Sequence, residues 1–122
     1  MTPGELENRL IDFSITIIKI CDQLPGSLGG KTLANQLVRS GTSPALNYGE
    51  TQAAESDRDF VHKCGIVLKE LRESKNALRI INGASLYKNQ EQIKKSIKEC
   101  DELISIFVAS IKTVKNRMNQ KK

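Results

Sequence analysis

Four stretches of the chain place apolar side chains at alternating steps of three and four residues, the spacing that keeps them on one face of an α-helix. In the first, Leu6, Leu10, Phe13, Ile17, Ile20 and Leu24 step by 4, 3, 4, 3, 4. Thr2-Pro3-Gly4-Glu5 precedes them and supplies an N-cap, a proline for the first helical position and a glutamate to close a capping box. Pro25-Gly26 stops the helix. The second stretch, about residues 30–54, has a sparser stripe: Leu33, Leu37, Val38 and Leu46. Pro44 cannot donate to the residue four back, so a kink or break is expected between Ser40 and Pro44.

The third stretch opens at Ser56, with Asp59 as a box-like partner. Phe60, Cys64, Val67, Leu71, Leu78 and Ile81 mark its core stripe, Ser74 interrupts it, and Asn82-Gly83 reads as a C-cap. The fourth opens at Asn89 with Gln92 behind it. Ile93, Ile97, Cys100, Ile104, Phe107, Ile111, Val114 and Met118 are then eight consecutive matches to a period of 3.5. The connections are short: residues 26–29, Glu55 and residues 84–88. Short links between long helices make sequence neighbours antiparallel, so the expected fold is all-α, an up-down-up-down four-helix bundle of residues 1–118 with a basic tail at 119–122.

The first helix carries a second apolar stripe. At 100° per residue, Ile11, Ile15 and Ile18 centre about 140° from the main one. One face of a bundle helix normally suffices for the core. The surplus face is either a self-association surface or one flank of a broad stripe shared by two neighbouring helices.

Composition narrows the function. Aromatic residues are 4% of the chain, with no Trp, which argues against a platform for stacking single-stranded bases. Net charge is +5, and its placement matters more than its size. Lys112, Lys115, Arg117, Lys121 and Lys122 fall in the last 11 residues with no acid, while the rest of the chain has 14 charges of each sign. A basic end on a neutral body suits a polyanion such as RNA or DNA. It also suits a solvated helix end whose cations complement the helix dipole. Lys94, Lys95 and Lys98 form a second candidate patch.

Candidates for reaction chemistry thin out on inspection. Gly30-Lys31-Thr32 resembles the end of a phosphate-binding loop, but the glycine required five residues earlier is Pro25. His62 is the single histidine. It lies about 200° around a helix from Cys64, and with Asp59 it makes at most half a metal site. Glu70 and Glu73 share a face, but Lys69, Arg72 and Lys75 surround them, which favours ion pairing over a carboxylate dyad. Cys21, Cys64 and Cys100 sit on apolar stripes with no C-x-x-C spacing, as expected of buried reduced thiols in a cytoplasmic protein. Simple hairpin register places Cys21 and Cys100 within a turn of each other, where a disulfide is conceivable. The N-terminus has no basic leader pattern, and no run nears the ~18 apolar residues of a membrane span. The chain is therefore expected to be no enzyme and to bind no metal or cofactor.

The segment Arg39-Ser40-Gly41-Thr42-Ser43-Pro44-Ala45-Leu46-Asn47-Tyr48-Gly49-Glu50 is unusual for a helix interior. Arg39, Asn47 and Glu50 among small residues suit a polar pocket or an oligomer contact, or a kink repaired by its own side chains through Thr42 and Ser43. With Ser56-Asp57-Arg58-Asp59-Phe60 and Lys69-Glu70-Leu71-Arg72-Glu73, it resembles the four-helix bundle family of 23S rRNA-intervening sequence proteins over residues 8–118. Pro44 stands one position early, Thr51 replaces a frequent glycine, and an aromatic often seen near Asn76-Ala77 is absent. The resemblance implies a left-handed bundle assembling into a ring-like homo-oligomer, often a pentamer. It also implies kinship with accessory proteins of diversity-generating retroelements, which bind nucleic acid and a reverse transcriptase. It implies no catalytic residues.

Overall fold

A computed structural model of the chain describes residues 1–120. Its helices are α1 (Pro3–Asp22), α2 (Leu28–Gln52), α3 (Asp57–Gly83) and α4 (Gln90–Gln120), with no strand among the described residues. The capping chemistry explains where they start. The Thr2 hydroxyl accepts from Glu5 N and the Glu5 carboxylate accepts from Thr2 N, a closed capping box with Pro3 at the first helical position. Ser27 and Ser56 cap α2 and α3 through Gly30 N and Asp59 N. Asn89 accepts from Gln92 N. The Asp59 carboxylate reaches Glu55 N, one residue before the cap.

Of the kink or break expected near Pro44, the break does not occur; α2 runs through it for 25 residues. Thr42 donates to the Val38 and Arg39 carbonyls rather than to that of Ser40, which Pro44 leaves without its usual donor. Gly83 does not end α3 in a left-handed turn either. It is the last helical residue, and the left-handed position is Ser85, at φ 55°.

The helices are arranged in a circuit. α1 packs on α2, α2 on α3 and α3 on α4, and α4 returns to α1 along a shorter seam. Leu10, Ile17, Ile20, Leu37, Leu71, Leu78, Ile81, Ile93, Leu103 and Phe107 fill the centre. The Tyr48 and Phe107 rings meet edge to face at 6.1 Å between α2 and α4. The α4 stripe is centred differently from its sequence reading: Leu103 and Ser96 are buried, while Ile97, Ile104 and Ile111 are half-buried along one flank. Val38 and Leu46 lie outside the core, Leu46 at 80% exposure.

Small residues set two of the seams. A Cβ on Gly41 would come 2.7 Å from Ile17 Cγ2, so only glycine lets α1 and α2 approach this closely. Ser14 Oγ bridges the same seam to the Gly41 carbonyl at 3.1 Å. Between α2 and α3 the buried Ser40 and Ser74 hydroxyls meet at 2.9 Å, which explains the polar interruption in the α3 stripe. Gly30 is needed because a Cβ there would strike the Pro25 carbonyl, at 2.1 Å. The phosphate-loop look-alike is thus a close helix–helix turn.

The α1–α4 register departs from a simple hairpin. Arg9 forks onto Glu99, with Nε at 3.1 Å, and also reaches Glu102. Arg9 is therefore level with Glu99, and Cys21, twelve residues on, stands about 18 Å along α1 from the level of Cys100. The hairpin assumption fails because α1, at 20 residues, is much shorter than α4, at 31, and does not connect to it directly. All three cysteines are free and buried. Burial raises the Cys21 and Cys64 thiols to about 11 and Cys100 to about 12. Among the described residues no helix is long and apolar enough to cross a membrane.

Candidate nucleic-acid interface

Ion pairing decides which charges remain free. Arg39 grips Glu70 at 2.9 Å and Glu73 at 2.6 Å across the α2–α3 seam. That hydrogen bond raises the Arg39 pKa and holds the Glu73 carboxyl below the usual range. Lys63 is 2.9 Å from Asp59 and 4.0 Å from Glu50, and Asn47 donates to Ser43 Oγ within α2. Arg39, Asn47 and Glu50 are thus separate surface contacts that staple α2 to α3 or to itself. They do not converge on one pocket. Among the described residues no group of three or more His, Cys, Asp or Glu side chains is placed to hold a metal ion.

On α4, Glu99 and Glu102 are taken by Arg9, and Asp101 by Lys75 at 2.6 Å. Arg117 forks onto Asp57 at the start of α3, which raises its own pKa and removes it from the free cations. Lys94, Lys95, Lys98, Lys112 and Lys115 are exposed and make no ion pair among the described residues. Lys121 and Lys122 lie outside the described residues. Lys95 faces α1, across an open groove of about 650 Å³ also lined by Asp12, Thr16, Glu99 and Glu102. Lys98 lines the same groove and also lies beside Arg9, Asp101 and Ser105. Lys94, Lys112 and Lys115 turn toward α3.

Sequence reading missed Arg72 and Arg79. Both are exposed and unpaired among the described residues, and they flank Lys75 on the same side of α3. The available signal was their spacing of three and four from Lys75, visible only once the Lys75–Asp101 pair fixes where α3 meets α4.

On the other side of the molecule, Ile11, Ile15 and Ile18 are 42%, 46% and 42% exposed. They lie on the flank of α1 next to α2, because Ser14, on the same side of the buried stripe, bonds to Gly41.

The family model described as 23S rRNA-intervening sequence protein matches residues 5–109. The chain belongs to that family. A crystal structure at 1.70 Å of a protein of unknown function, from the S23 ribosomal protein family of Bacteroides thetaiotaomicron, is similar in fold and sequence. It superposes with a TM-score of 0.79 and 25% identity, over 88% of this chain and 98% of that one. A search of curated proteins finds no match.

Proposed function

We propose that this chain is a non-catalytic, self-associating cytoplasmic bundle that binds RNA or DNA through lysines of α4. One observation carries the reading. The acids of α3 and of α4 beyond its first turn already have cation partners within the molecule, whereas Lys94, Lys95, Lys98, Lys112 and Lys115 have none. Unpaired cations on rigid helices attract polyphosphate by counterion release and need no reaction centre. The exposed Ile11, Ile15 and Ile18 supply a surface for copies of the chain, in a ring-like homo-oligomer such as a pentamer. Association multiplies weak phosphate contacts into useful avidity.

Filter binding to a structured RNA at about 50 and 200 mM salt tests the reading, with affinity expected to fall steeply. No binding at the lower salt refutes it. The exposed isoleucines also favour a second reading, a scaffold whose partner is another protein, such as a reverse transcriptase. That reading predicts a polypeptide retained at high salt and after nuclease treatment.

A further inference from the structure

Resting on the nucleic-acid reading above, we infer that the binding surface is the outer face where α3 meets α4, and that its ligand is a nucleic-acid duplex held by its phosphates alone. The Lys75–Asp101 pair, at 2.6 Å, marks the line where the flanks of the two helices meet. Arg72 precedes Lys75 by three residues and Arg79 follows it by four, so all three share one side of α3. Lys94 and Lys112, seven before and eleven after Asp101, lie within about 20° of it around α4, and Lys115 lies about 40° away. Arg72, Arg79, Lys94, Lys112 and Lys115 are exposed and have no acid partner among the described residues.

The acids of these helices are turned elsewhere. Arg39 draws Glu70 and Glu73 toward α2, and Arg9 draws Glu99 and Glu102 toward α1. Arg117 and Lys63 occupy Asp57 and Asp59. Lys75 neutralises Asp101 on the face itself, and Glu91, in the first turn of α4, is the acid left without a cation partner among the described residues. The face is a strip of five uncompensated cations, and α4 carries three of them over 21 residues, from Lys94 to Lys115, or about 32 Å. That is close to one turn of duplex, about 34 Å.

The duplex, rather than a single strand, follows from the aromatics. Phe13, Tyr48, Tyr87 and Phe107 are buried, and Phe60 is half-buried against the core. Between the cations lie aliphatic Ile97, Ile104, Val108 and Ile111. With no ring to stack unpaired bases, the surface has only charge to offer, and a duplex presents phosphates at twice the linear density of one strand.

The test measures affinity of the full chain for RNA and DNA duplexes of about 20 base pairs and for an unstructured single strand of equal length, across salt. Both duplexes should bind about tenfold or more tighter than the single strand, with a log–log salt slope near −4.5 for five phosphates per protomer. Arg72→Glu with Arg79→Glu should weaken duplex binding by about tenfold or more, while Lys19→Glu with Lys31→Glu, the same charge change on α1 and α2, should stay within about twofold. Circular dichroism confirms that each variant is folded. A single strand bound as tightly as the duplexes, or equal losses in both double variants, overturns the inference and leaves nucleic-acid binding standing. Absence of binding to all three probes at low salt instead removes the reading beneath it.

Discussion

The α1–α2 and α3–α4 faces are built from similar amphipathic helices and end with opposite chemistry. α1 and α2 approach through Gly41 and Ser14, with no ion pair between them among the described residues. Their outer surface keeps Ile11, Ile15, Ile18 and Leu46 exposed. α3 and α4 are joined across their outer flank by Lys75–Asp101, and cations line that flank. The difference teaches that charge, not apolar exposure, separates the two faces: Ile66, Ile80 and Val108 are about as exposed on α3 and α4 as the isoleucines of α1, but the acids of α3 and α4 are largely engaged while their outer cations are not.

The strongest way to break this comparison is at Gly41. Gly41→Leu forces side-chain atoms into Ile17 and should cost about 3 kcal/mol or more, lowering the thermal midpoint by about 10 °C. A shift of under about 2 °C would show that the α1–α2 approach is not tight. The same experiment on the other face should change sign. A Cβ on Gly65, within α3, meets nothing within 4 Å, so Gly65→Ala should stabilise by about 0.5–1 kcal/mol. Destabilisation by that variant would place an unseen neighbour against α3.

Reactivity sharpens the picture of the core. The thiols, raised to about 11 and 12 by burial, should resist alkylation at about pH 8 until the chain unfolds. Rapid labelling of any cysteine in the folded protein would contradict this. The smallest effect concerns the Arg39 clamp. The Glu73 carboxyl is held below its usual range by Arg39, so it stabilises the fold above that range and ceases to as pH falls through its lowered value. Stability of Arg39→Met should lie below that of the parent at neutral pH and converge with it in acid. A gap that persists unchanged into acid would mean that Arg39 acts by packing instead.

The fold was legible because four stripes mark four helices and polar caps open three of them. Thr2, Ser56 and Asn89 each cap the helix they precede. What was not legible depended on neighbours far off in sequence. Ser74 looks like a flaw in its stripe until Ser40 is seen opposite it. Pro44 reads as a breaker, yet it sits buried within a helix whose packing on both sides outweighs one lost hydrogen bond. The candidate site was half legible. The lysines of α4 stand out by composition, whereas Arg117 is withdrawn by Asp57, sixty residues away, and Arg72 and Arg79 join the surface only through the α3–α4 register.

The central claim is that the α1–α2 face joins copies of the chain while the α3–α4 face remains free to hold phosphate. Native mass, measured alone and with a bound duplex, tests it most directly when the parent is set beside Ile11→Lys/Ile15→Lys/Ile18→Lys. The parent should be a multiple of the 13.6 kDa protomer and keep that multiple when duplex binds, while the variant should fall to a helical monomer that still binds duplex, more weakly. A parent that is monomeric, or an assembly that dissociates as duplex binds, would contradict the claim.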